Sequence, residues 1–261
     1  THGKTTTSSI LGHIMAQVGA TSFLGGIAEN YNSNLILGDD NISVVEADEY
    51  DRSFLQLSPD IACITSMDAD HLDIYGDSDS LNTSFIEFAA KVSQTLIVAK
   101  GLPLKGITYG INEPSDYKAY NLKIERGKYI FDVKTPSAEV NNIEFHLPGR
   151  HNVMNALAAI AMADIYGISL ENIKHRLSTF MGVKRRFSYK IKTDNLDISK
   201  LKDAMAVGWW FTPSYHGDWS PGVDDPKWYK DSGGDCGHGT LCGQGGGWKL
   251  ANLKVTAEKT I

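Results

Sequence analysis

Two apolar runs without polar alternation, Ile61-Ala62-Cys63-Ile64 and Thr95 to Ala99, constrain the fold of this chain more than any other feature. A strand with one wet face alternates apolar and polar residues; a strand that does not is covered on both faces, as in a parallel sheet flanked by helices. A helical pattern from about Leu81 to Gln94 separates the two runs, giving strand, helix, strand. The class is therefore α/β, with a mainly parallel sheet and flanking helices.

The rest of the chain to residue 196 follows the same logic. Ile10, Leu11, Ile14, Met15 and Val18 lie on one face of a helix that starts at Thr5 and stops at Gly19. Short β-rich runs follow at Asn34 to Leu37, Ser43 to Glu46 and Lys105 to Tyr109. Between Tyr117 and Phe145 the pattern alternates around a turn at Arg126-Gly127-Lys128, which predicts a small antiparallel patch. One further helix carries Val153, Leu157, Ile160 and Ile165 and stops at Gly167. Another is opened by Ser169, with Glu171 in its first turn, and carries Ile173, Leu177 and Phe180.

Composition narrows the function classes. A formal net charge of -6 from 31 acidic and 25 basic residues is no footprint for nucleic acid, so an anionic partner must be met by a local site. No stretch has the 18 or so apolar residues needed to span a bilayer, so the chain reads as soluble. Three cysteines are too few for a disulfide framework, which favours a reducing, cytoplasmic setting. All five tryptophans and eleven of the 25 glycines lie beyond residue 196, and the expected boundary therefore separates residues 1–196 from a Trp/Gly-rich segment, 197–261.

Three clusters carry chemistry. Thr1-His2-Gly3-Lys4-Thr5-Thr6 running into a helix has the form of the second half of a phosphate loop. Gly3 lets the backbone approach a phosphate, Lys4 reaches the β- and γ-phosphates, Thr5 offers a hydroxyl to magnesium, and the helix N-terminus adds amide donors. A helix cap is the simpler alternative. The full pattern also needs an upstream glycine after a strand, and the chain shows neither. Second, Glu46, Asp48, Glu49 and Asp51 follow a strand whose C-terminal end is where parallel sheets bind ligands. A carboxylate there can hold magnesium directly or through water, while a solvated acidic turn accounts for Asp48 and Asp51 equally well. Third, His71 stands among Asp68, Asp70 and Asp73 after the strand at Ile61, which favours a metal or phosphate role over a purely structural histidine.

These residues resemble the Mur ligases. Gly3-Lys4-Thr5-Thr6-Thr7, Glu46-Ala47-Asp48-Glu49, Asp70-His71-Leu72-Asp73, Leu147 to Ala156 and Gly182-Val183-Lys184-Arg185-Arg186-Phe187 occur in the family's order over about residues 1 to 196. The Glu-Ala-Asp-Glu run points to the branch that joins L-alanine to UDP-N-acetylmuramate. The resemblance implies a three-domain ligase of peptidoglycan precursor synthesis, with ATP and Mg2+ as cofactors. ATP phosphorylates the muramyl carboxylate, and the alanine amine then displaces phosphate to form the amide. It assigns Lys4 to the phosphates, Thr5 and Glu46 to one magnesium and His71 to a second. Asn152 and Asn155 are assigned to adenine, with helix capping as the alternative, and Arg186 to the nucleotide. Ser66 stands where many relatives carry asparagine.

Two departures qualify that expectation. The sugar-nucleotide domain and the strand entering the loop are absent, and from Asp197 the chain leaves the family pattern. Cys236, His238 and Cys242, with Asp235 and His216 nearby, have the residue types of a zinc site but no standard spacing; a disulfide or two free thiols explains them as well. The tryptophans suit either a carbohydrate surface or a small aromatic core. The competing expectations are another amide ligase of the superfamily and a noncatalytic fused or truncated product with a vestigial nucleotide site.

Overall fold

The computed structural model describes residues 2–68, 78–125 and 127–184. The chain divides into two units, 1–188 and 189–261, and the described residues belong to the first. The expected boundary near residue 196, the cysteine pair and all five tryptophans lie outside them.

The chain opens with helix α1 (Lys4–Met15), followed by a 3-10 turn (Ala16–Val18) that closes on Gly19 at φ 75°, a left-handed stop suited to glycine. Strands β1 (Ala20–Ala28), β2 (Ser33–Ile36) and β3 (Asp39–Val45) form a three-stranded sheet in the order β2-β1-β3, with β3 parallel to β1 and β2 antiparallel. Strand β4 (Ile61–Ile64), helix α2 (Ser78–Ala90) and strands β5 (Thr95–Ala99) and β6 (Ile107–Ile111) follow, then β7 (Tyr117–Glu125), β8 (Lys128–Lys134) and β9 (Glu139–Phe145). These six strands make a second sheet in sequence order, parallel from β4 to β7 and antiparallel from β7 to β9. Helices α3 (Arg150–Tyr166) and α4 (Leu170–Thr179) complete the described part.

The mainly parallel character holds, with three of the five pairings in the six-stranded sheet parallel, and the antiparallel patch forms between Tyr117 and Phe145 as expected. Strands β3 and β4 are not paired with each other, and the described strands fall into two sheets. Strand β1 was not anticipated, because Gly25, Gly26 and its Ser/Thr positions give a weak β signal.

Helix α3 is the centre of the main core. Val153, Ala156, Leu157, Ala158, Ala159, Ile160, Ala161 and Ala163 are all buried, so the helix is apolar on every side. Its alanines keep it thin, and it packs against both α1 and the six-stranded sheet. Replacing fully buried Leu157 with alanine would cost about 2 to 5 kcal/mol by opening a cavity. A second core gathers Phe54, Phe85 and Phe88 with Ala62 and Ile64 on the opposite face of β4. Ile61 and Cys63 pack against the first core, so β4 is covered on both faces. Burial pushes the Cys63 thiol up to about 12, which makes it an inert core residue. Among the described residues no helix is long and apolar enough to cross a membrane.

Candidate functional site

Helix α1 begins where β3 and β4 end. Its N-cap is Gly3, at φ 84° in the left-handed region, and neither a capping side chain nor an acidic residue covers its first turn. The positive end of the helix is thus presented by backbone amides, the arrangement that binds anions at helix N-termini. The loop is held from the side of β4: the His2 amide donates to Ser66 Oγ at 2.7 Å, and Thr65 Oγ1 donates to the His2 carbonyl at 2.6 Å.

Glu46 is the hub of the site. Its carboxylate accepts from Thr5 Oγ1 at 2.6 Å, from Ser8 Oγ at 3.0 Å and from the Gly25 amide at 2.7 Å. Because the Thr5 hydroxyl spends its proton on Glu46, its lone pairs are left as hard oxygen donors beside a carboxylate. That donor set suits magnesium, which is held by one or two protein oxygens together with phosphate oxygens. Among the described residues no three His, Cys, Asp or Glu side chains converge into a preformed metal cage.

Lys4 is aimed by the next two carboxylates. Its Nζ lies 2.6 Å from Glu49 Oε2 and 3.4 Å from Asp48 Oδ1. Glu49 is buried, with 2% of its surface exposed, and Asp48 is exposed. The pair holds an extended lysine over the loop, where its charge is available to a phosphate that comes between them. Asp51 is exposed and belongs to the turn after β3.

The far wall comes from α3. Asn155 Oδ1 accepts from Thr7 Oγ1 at 3.4 Å, and Asn155 Nδ2 donates to Asn152 Oδ1 at 3.3 Å. Asn152 Nδ2 donates in turn to the Pro148 carbonyl at 2.6 Å, across the first turn of the helix. Both amides therefore fasten the start of α3, and through Thr7 they reach the loop helix. Gly182, Val183 and Lys184 run beside β1: Glu29 N donates to Gly182 O and Lys184 N to Ile27 O, both at 2.9 Å.

The structure thus brings His2, Gly3, Lys4, Thr5, Thr6, Glu46, Asn152 and Asn155 to one end of α1. Thr1, His71 with its neighbours Asp70 and Asp73, and Arg186 lie outside the described residues. Sequence reasoning missed Ser8 and Gly25, and it placed Glu49 in the acidic cluster without giving it a role. A Cβ on Gly25 would come within 2.5 Å of Glu46 Oε2, so glycine there is a requirement of the carboxylate's seat. Two adjacent glycines inside a strand were the available sign of such a close approach.

An α/β fold with a Gly-Lys-Thr helix start and an acidic residue closing the neighbouring strand defines a phosphate-loop nucleotide-binding domain. The Mur ligase middle domain family matches residues 1–163, and the chain belongs to that family. It is 60% identical over 200 residues to UDP-N-acetylmuramate–L-alanine ligase of Flavobacterium johnsoniae, a match covering 75% of this chain and 44% of that protein. The corresponding ligase of Christiangramia forsetii is 58% identical over 200 residues, again covering 75% and 44%. Among solved structures, the crystal structure of UDP-N-acetylmuramate-alanine ligase from Thermotoga maritima superposes with a TM-score of 0.66 at 28% identity, covering 74% of this chain and 46% of that one. The chain thus spans less than half the length of the curated relatives it matches.

Proposed function

We propose that residues 1–196 form the ATP-binding domain of a ligase that joins L-alanine to UDP-N-acetylmuramate in the cytoplasmic assembly of peptidoglycan precursors, residues 197–261 being a separate segment. The observation that carries the reading is the contact of Thr5 with Glu46 at 2.6 Å beside Lys4, at the uncapped start of α1.

Transfer of a phosphoryl group to a carboxylate crowds negative charge on the equatorial oxygens, and the protein contributes chiefly position and countercharge. Lys4 contacts the β- and γ-phosphates in exchange for Asp48 and Glu49, and the first-turn amides of α1 complete the cradle. Thr5 and Glu46 would hold magnesium, which when bound would offset the negative charge of the phosphate oxygens; His71 would serve a second ion. Asn152 and Asn155 approach the adenine, and Arg186 meets the nucleotide from the end of the domain. The acyl phosphate formed on the muramyl carboxylate is then opened by the alanine amine.

The test is a calorimetric titration of ATP into the chain with and without magnesium. Magnesium-dependent binding that is lost in Lys4→Ala and in Glu46→Ala is expected. Equal affinity in the wild type and both variants sinks the site.

A further inference from the structure

Three groups share one edge of β1. Strand β2 takes the other edge at both Phe23 and Ala28, so the residues paired opposite it there, Val45 of β3 and Val183, lie on the same side. Between them the edge is closed by a side chain, the Gly25 amide donating to Glu46 Oε2 at 2.7 Å. Beyond it, Lys184 N donates to Ile27 O and Glu29 N to Gly182 O, both at 2.9 Å. Residues 182–184 therefore border the seat of Glu46 on the side away from β3. Asn30 fastens this segment: its Nδ2 donates to Thr179 O and its Oδ1 accepts from Met181 N, both at 2.8 Å.

Gly26 shows what the segment faces. A Cβ there would lie 2.9 Å from Thr5 Cγ2 and 2.9 Å from Val183 Cγ1, so the two methyl groups flank one point beside β1. Both residues are buried, Thr5 at 3% and Val183 at 1% exposure. The staggered wells of a threonine differ in which neighbour meets the hydroxyl and which meets the methyl. In the observed well the hydroxyl donates to Glu46 Oε1 at 2.6 Å, and the methyl takes the side of Gly26 and Val183. Exchanging the two would set the hydroxyl against the apolar Val183, where it loses its acceptor in a buried place.

We propose that Val183 is a positioning residue of the nucleotide site: its methyl holds the Thr5 side chain in the one χ1 well that turns the hydroxyl to Glu46. Asn30 acts at one remove by seating the segment that carries Val183, and Gly26, with no Cβ, leaves the space that the two methyls share. The inference rests on the reading of Thr5 as a hydroxyl that serves magnesium, and it adds a residue that itself touches neither nucleotide nor metal. Holding a ligand group in its working rotamer beforehand spares binding the cost of ordering it.

The full chain is tested in two steps. Without nucleotide, three-bond NMR couplings report the χ1 distribution of Thr5. A single well is expected in the wild type and in Val183→Ile, which keeps the branched methyl, and averaging over wells in Val183→Ala and Asn30→Ala. ATP is then titrated calorimetrically with and without magnesium. Val183→Ala should weaken magnesium-dependent affinity roughly fivefold or more, but by less than about twofold where Thr5→Ser has already removed the methyl. Affinity without magnesium should stay the same. Val183→Thr serves if the alanine variant does not fold: it keeps the volume, offers the turned hydroxyl a partner and should also average the couplings. A single Thr5 well in every variant overturns the proposal, and so does an equal loss of affinity with and without Thr5→Ser, which is what a merely structural Val183 would give. Averaged couplings with an ATP affinity indifferent to Lys4→Ala overturn instead the nucleotide reading, and with it the site that Val183 would serve.

Discussion

The amide of Asn155 lies against the backbone of Gly3: a Cβ on Gly3 would come within 2.3 Å of Asn155 Oδ1. Two segments some 150 residues apart in sequence are thereby in van der Waals register, and the start of α3 limits what can occupy the loop.

Gly3→Ala should therefore be doubly unfavourable. Its φ of 84° costs a residue with a side chain about 1 kcal/mol, and the clash adds to that. Thermal unfolding should show a clear loss of stability, and Asn155→Gly combined with Gly3→Ala should recover the steric part alone. No recovery in the double variant would refute the contact as the cause.

Glu46→Ala removes the acceptor of three hydrogen bonds, from Thr5, Ser8 and Gly25. Hydrogen bonds to a charged group are worth roughly 1.5 to 3 kcal/mol each, partly recovered by water at this half-buried site. Denaturant unfolding should show a loss of that order. Glu46→Gln, which keeps the shape, should retain more stability while still losing magnesium-dependent nucleotide affinity.

Gly25→Ala tests the same carboxylate from behind. A methyl there would push Glu46 Oε2 from its seat, the approach being 2.5 Å in the present geometry. Magnesium-dependent ATP affinity should drop at least severalfold although Gly25 contacts neither phosphate nor metal in the proposed arrangement. Unchanged affinity would separate Glu46 from the site.

His13 supplies a pH dependence. It is buried beneath Tyr31, Thr179 and Phe180, with Nδ1 at 2.9 Å from Tyr31 Oη and Nε2 at 3.0 Å from Thr179 Oγ1. Burial first, and then the charge of Arg176, lower it from 6.5 to about 4. The folded state thus binds its proton less readily than the unfolded chain. The stability this gives is complete above about pH 6.5 and is lost as pH falls towards 4, by up to about 3 kcal/mol. His13→Gln should flatten the dependence of unfolding free energy on pH across that window; an unaltered slope would assign it to other groups.

Local signals in the sequence carried much of this architecture. The bounds of β5 match the Thr95 to Ala99 run, Ser169 caps α4 through its bond from Asn172 N, and Gly167 ends α3 at φ 104°. These features depend on neighbours in the chain. The division into two sheets does not, since it is decided by whether β3 and β4 find each other, and periodicity within either strand is silent on that. The site divides in the same way. Gly3, Lys4, Thr5 and Glu46 are legible from residue type and position at strand and helix ends. Ser8 and Gly25 act through contacts with Glu46 across 38 and 21 residues, and Glu49 through its ion pair with Lys4 across 45. Asn155, expected at the nucleotide, is fastened to the loop helix through Thr7.

The clasp on His2 bears on which positions can change. Thr65 and Ser66 grip the carbonyl and the amide of residue 2, while its imidazole points outward and only approaches Asp68 at 3.6 Å, both side chains being largely exposed. The grip is thus blind to the identity of residue 2 and strict about its grippers. In a library randomised at positions 2, 65 and 66 and sorted for folded, nucleotide-binding chains, position 2 should drift freely. Position 65 should collapse onto hydroxyl residues, and position 66 onto side chains that keep an oxygen acceptor within reach.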